Sequence, residues 1–249
     1  MKLDRFPASS WKPLERLKGR PVSRMVIAAG LAASAVLLLL GKDYLHASLA
    51  GSVGGRDCPA ALIQEATARA ARTFPNDNAE PVIRCMKGPA LGLRVDYGAS
   101  HFLPVLPTLI LLGPKGQNTD VLAHELVHAE VRAKTGALVR SYGLPTWFDE
   151  GLGMQADERA PFQDLGDLAP SPGDFPELGE IGRPSTFFRA GRQSRLNYGF
   201  ARCVVAGWLE AEGTDLDGFL KDQSLLGKFP TDRFEPHAAA CRERLSQHS

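Results

Sequence analysis

Three rhythms of apolar and polar residues run along this chain. Residues 25–41, MVIAAGLAASAVLLLLG, form an apolar block without a charge. As a helix such a block spans about 25 Å, the short end of what crosses a bilayer. Short apolar runs bounded by turn residues predict strands at EPVIRCM (80–86), LGLRVDY (91–97) and TLILLG (108–113). The third rhythm is helical. PAALIQEATARAARTF (59–74) carries Pro59 in its first turn. In NTDVLAHELVHAEVRAKTG (118–136), Asn118 or Thr119 can cap the start and Gly136 can end the helix. Asp120 suits its first turn, and Arg132 and Lys134 its last. TWFDEGLGMQADER (146–159) predicts a second helix despite two glycines, and SRLNYGFARCVVAGWLEAEG (194–213) a long one. TDLDGFLKDQ and EPHAAACRERL add two more. Residues 160–185, rich in Pro, Gly and Asp, predict a long irregular loop of the kind that often carries function. A helix, a few strands and then mostly helices make the fold class α+β.

Charge separates the front of the chain from the rest. Residues 1–41 hold seven basic residues (Lys2, Arg5, Lys12, Arg16, Lys18, Arg20, Arg24) against Asp4 and Glu15, a net of +5. The whole chain nets +1, so residues 42–249 net −4. A basic patch within the folded part, which a nucleic-acid partner would need, is not indicated. Basic residues before the apolar block and almost none just after it predict a cytoplasmic N-terminus with the remainder outside. The expected organisation is a basic segment (1–24), a transmembrane or signal-anchor helix (25–41), a linker (42–57, with the glycine-rich AGSVGGRD) and one catalytic domain (58–249). SLAG at 48–51 is compatible with signal cleavage and hence secretion, whereas the 24-residue basic lead favours a retained anchor. Four cysteines, all after the block, suit an exported domain with two disulfides. Proximity favours Cys58–Cys85 and Cys203–Cys241.

The helix at 118–136 carries HELVHAE. On a helix His124 and His128 lie one above the other, so each can offer a nitrogen to one metal ion. Glu125 points about 100° around and can act on a water without ligating the metal. This is the zinc-hydrolase spacing HExxH, two neutral imidazoles for the metal and a carboxylate for the proton. An accidental HExxH on a surface helix is the plainer alternative. Val121, Leu122, Leu126, Val127, Ala129 and Ala133 argue against it, because they mark a helix built to be buried.

A catalytic zinc takes a third protein ligand. Position 134 is lysine, and His46, His101 and His248 are badly placed, which leaves Glu150 as the leading candidate and His237 open. Thr146 and Asp149 fit a helix-start signature, which gives Asp149 a capping task. Gly151 and Gly153 remove side chains beside Glu150 and permit close approach of another helix.

HELVHAE followed by WFDEG resembles the gluzincin group of zinc metallopeptidases, most of all its small membrane-bound or exported peptidase-MA-like members. The resemblance covers roughly residues 80–245 and is strong only at these two motifs. It implies His124, His128 and Glu150 as ligands of one Zn²⁺, Glu125 as general base, and a zincin-like fold whose edge strand binds extended peptide. It also implies an oxyanion donor on a helix after the third ligand, for which Tyr198 is the candidate. The chain lacks an exopeptidase motif before the helix, and Met154 stands where several families carry an aspartate that orients a ligand histidine. The expected function is a membrane-anchored, outward-facing metalloendopeptidase acting on peptide or protein, with the 160–185 loop over its cleft. A zinc hydrolase of a non-peptide amide and an inactive zincin serving as a binding module share the same ligand set.

Overall fold

The computed structural model describes residues 42–247 apart from 77, 104, 105, 213, 214 and 224–226. The basic segment 1–24 and the apolar block 25–41 therefore lie outside the described residues. The segment expected as a linker is ordered structure instead. Residues 42–54 form a helix, α1, which runs into strand β1 (Gly55–Arg56). Composition misled here because glycine serves close contact as well as flexibility. A Cβ at Gly54 would come within 2.5 Å of the Ala90 side chain, so the helix can lie flat only without one. Tyr44, Ala47 and Ala50 complete its inner face.

Beneath α1 lies a four-stranded mixed sheet in the order β1-β2-β4-β3. β2 (Val82–Met86) pairs antiparallel with β1 and parallel with β4 (Leu109–Leu112), and β3 (Gly98–His101) closes the edge antiparallel to β4. Alternation along β4 divides two cores. Leu109 and Leu111 face α1, whereas Ile110 and Leu112 join the larger core with the HExxH helix. Burial on both faces is why this strand is an unbroken apolar run. The strand expected at 91–97 is not formed. Ala90 and Leu93 bridge across a tight turn with Leu91 at φ 51 and Gly92 at φ 78, and pairing with β4 begins only at Gly98. Leu93 and Val95 are drawn onto the α1 side of the sheet, which accounts for the apolar alternation without a ladder.

The rest is helical: α2 (Ala60–Ala70), α3 (Thr119–Thr135), α4 (Ala137–Tyr142), α5 (Thr146–Ala156), α6 (Ala160–Gln163), α7 (Pro184–Phe187), α8 (Arg192–Glu212), α9 (Leu216–Lys221) and α10 (Glu235–Gln247). The Asn118 side chain accepts from the Val121 N–H to cap α3, and Gly136 at φ 82 ends it. Trp147, Phe148, Trp208 and Phe234, all fully buried, knit α5, α8 and α10 together with rings 4.9–5.8 Å apart. Burying one such side chain stabilises by about 1.5–3 kcal/mol. Both expected disulfides are present, Cys58–Cys85 from the start of α2 to β2 and Cys203–Cys241 from α8 to α10. Residues 160–185 are largely irregular, as expected, and at their end Pro184 lines the same cleft as His124 and Glu125. Leu165, Phe175, Leu178 and Ile181 are buried in the main core. Among the described residues no helix is long and apolar enough to cross a membrane.

Candidate metal centre

The site is built where α5 passes between α3 and α8. Every residue of α3 from Val121 to Val131 is buried, so His124 and His128 sit one turn apart in the interior, with rings 4.7 Å apart at 83°. Two glycines set the depth of α5. A Cβ at Gly153 would lie 2.7 Å from the His124 ring, and one at Gly151 would lie 2.7 Å from the Ala201 carbonyl of α8. The bare helix surface lets Glu150 reach both imidazoles.

The two imidazole nitrogens and both oxygens of Glu150 converge as a result. His124 Nε2 and His128 Nε2 are 3.0 Å apart, Glu150 Oε2 is 3.2 Å from the first, and Glu150 Oε1 is 3.5 Å from the second. A tetrahedral ion with bonds of about 2.0–2.1 Å sets its ligands about 3.3–3.4 Å apart, so the observed edges fit such an ion. Among the described residues this is the one group of three His, Cys, Asp or Glu side chains that could hold a metal.

Each histidine has a carboxylate behind it. His128 Nδ1 donates to Asp149 Oδ1 at 3.0 Å, and Arg140 pairs with Asp149 at 2.7 Å while stacking 4.7 Å from the Phe102 ring. The capping task expected of Asp149 is not observed. Pro145 is the N-cap of α5, no side chain caps that start, and Asp149, though in the first turn, is turned to His128 on α3. On the other side His124 Nδ1 has no hydrogen-bond partner, and its nearest carboxylate is Asp157 Oδ2 at 3.7 Å. Asp157 is fully buried and clamped by Arg159, whose Nε lies 2.9 Å from both oxygens. Arg140, Asp149 and Asp157 are the residues that sequence reasoning missed or misassigned. The signal that could have found Asp149 is its place directly before the third ligand.

Charge follows from this arrangement. Burial works against a charged His128, but Asp149 and Glu150 outweigh it and push its pKa up to about 10 in the metal-free protein. Burial also works against ionised Glu150 and Asp149. The two histidines hold Glu150 well below the usual carboxylate range, and Arg140 with His128 does the same for Asp149.

Glu125 lies on the strand side. A Cβ at Gly98 would come 2.6 Å from Glu125 Oε1, so β3 and the glutamate meet where the strand has no side chain. The cleft between them, about 430 Å³, has Gly98, Ala99 and Ser100 along one wall and Leu144, Phe188 and Tyr198 on others. Its floor is His124, Glu125, His128 and Glu150. Tyr198 is packed by Phe162, Phe187 and Phe188, with its ring centroid 6.4 Å from that of His124. Burial raises its pKa well above 10, and the carboxylates of Glu150 and Glu125 add to this. The phenol thus keeps its proton and remains a donor. All five residues singled out in the sequence line one cleft. His237 does not, since it lies against Gly207 on α8.

Compared with protein-family models, with curated proteins and with solved structures, the chain matches none. What the site can do is therefore decided by its own geometry.

Proposed function

We propose that this protein is a gluzincin-type zinc metalloendopeptidase with a zincin-like fold, anchored in a membrane by residues 25–41 and facing outward. The observation that carries the reading is the convergence of His124, His128 and Glu150 in one open cleft with Glu125 beside them. Two imidazoles and a carboxylate suit zinc. The small mixed sheet ahead of the HExxH helix supports the fold, and two disulfides support an oxidising, exported setting. Zinc, when bound, supplies Lewis acidity that polarises a carbonyl and eases deprotonation of water.

The chain's own groups do the rest. An extended peptide lies along the free edge of β3, where Gly98 lets Glu125 come up against the strand. The Glu125 carboxylate takes the proton of the attacking water and returns it to the leaving amine. Tyr198, protonated and lining the cleft beside His124, donates its hydroxyl to the oxygen that gains charge. A carboxylate at 125 has no use in a mere binding module. The test is metal analysis of the purified full chain, together with hydrolysis of an unstructured protein. One zinc per chain and cleavage abolished by chelation are expected. Glu125→Gln is expected to keep the zinc and lose hydrolysis, because an amide cannot take up the proton. A zinc-loaded protein that cleaves nothing overturns the reading.

A further inference from the structure

Helix α1 turns an inverted face to solvent. Its inner side, Tyr44, Ala47 and Ala50, is covered by the sheet, while Leu45, Leu49 and Val53 point outward at i, i+4 and i+8. These three are 63%, 57% and 67% exposed. A helix lying on a core ordinarily presents polar residues outward. Beside it, the turn after Ala90 brings the Leu91 carbonyl to 2.8 Å from His46 Nε2. Leu91 is 49% exposed at φ 51, a left-handed conformation that bulky side chains avoid. A leucine kept in strained backbone with its side chain in solvent is an arrangement that points to function.

What covers this patch follows from what precedes it. The charge-free block 25–41 directly precedes residue 42, the first described residue of α1. As a helix that block spans about 25 Å, against a hydrocarbon core of about 30 Å. Apolar side chains just beyond it fall at the depth of the headgroup boundary. A second copy of the chain is a poorer occupant, because four side chains fall well short of the roughly 800 Å² per partner that a stable interface buries. We propose that Leu45, Leu49, Val53 and Leu91 dock into the lipid surface, so that the domain lies on the bilayer through α1 instead of hanging from it on a tether. This rests on the reading of residues 25–41 as a membrane anchor.

The test places single tryptophans in the full chain, in a Trp11→Phe background that leaves the buried Trp147 and Trp208 as a constant signal. The protein is reconstituted in phosphatidylcholine/phosphatidylglycerol vesicles with and without lipids brominated high on the acyl chains. Leu49→Trp and, separately, Val53→Trp are expected to show blue-shifted emission that the brominated lipid quenches. Tyr142→Trp, at a site 69% exposed on α4, is expected to stay unquenched. Protein that floats with the vesicles but shows no quenching at 49 or 53 overturns this proposal alone, as does cross-linking of two copies through those positions. Protein that does not float overturns the anchor reading and this proposal together.

Discussion

The two imidazoles of α3 are one helical turn apart and are held in different ways. His128 is gripped directly, by Asp149 at 3.0 Å with Arg140 behind it. His124 faces Asp157 across 3.7 Å, with no bond from its Nδ1. The carboxylate on the His128 side is the neighbour of a ligand and shares its helix, so its position is fixed whenever Glu150 is placed. Asp157 follows the end of α5, and its aim is set by Arg159 instead. The Nδ1 side of His128 is thus held by a hydrogen bond, and the Nδ1 side of His124 by packing alone.

Removing what both sides share should have the largest effect. Glu150→Ala removes the carboxylate that faces both histidines and is expected to abolish stoichiometric metal, measured by elemental analysis after dialysis. Retention of full metal would mean that Asp149 turns inward as a substitute ligand. Smaller, and specific to one step, is Tyr198→Phe. It should keep metal and fold and lower kcat about 10²-fold with little change in KM, the usual loss for one oxyanion donor. Near-normal kcat would return Tyr198 to the aromatic packing around it.

The comparison itself is tested by Asp149→Asn against Asp157→Asn. The former is expected to weaken zinc about 10–100-fold, the usual cost of losing a carboxylate behind a ligand histidine. Asp157→Asn should cost less, because its contact with His124 is longer. Competition with a chromophoric chelator reads both, and the reverse order would break the asymmetry.

The smallest effect is a slope of stability with pH. In the metal-free protein His128 has its pKa raised from 6.5 to about 10. Its contribution is complete below pH 6.5 and is lost as pH rises towards 10. Glu150 has its pKa lowered from 4.5, so its contribution is present above pH 4.5 and is lost on further acidification. The Tm of chelator-treated protein should therefore peak between pH 4.5 and 6.5 and fall through the alkaline range. Zinc should reverse the alkaline fall, since it binds neutral imidazole and displaces the proton. A metal-free Tm that climbs from pH 7 to 9 would contradict the charged state of His128.

What could be read in the sequence was what one element decides alone. The i, i+4 spacing fixes His124 and His128 on one face of a buried helix, and glycines at 151 and 153 announce a close crossing before any partner is known. Asp149 was misread because Thr-x-x-Asp fits a helix start, whereas α5 begins with Thr146 already inside its first turn. Asp157 and Arg140 become legible only once α3, α4 and α5 are packed together. The turn at Ala90–Leu93 and the β1 pairing failed for the same reason, because partners elsewhere decide whether an apolar alternation or a glycine run becomes a strand.

The cover that α1 gives the sheet has a consequence for how the chain can be processed. A signal peptidase cutting within SLAG at 48–51 would carry away Tyr44 and Ala47, two of the three buried residues that α1 packs against Met86, Leu109 and Leu111. The Tyr44 hydroxyl, which donates to the Pro107 carbonyl at 3.1 Å, would go with them. The released product would begin its life with one face of its sheet bare, sticky and short of a hydrogen bond. Cleavage at 48–51 and a finished fold are therefore at odds.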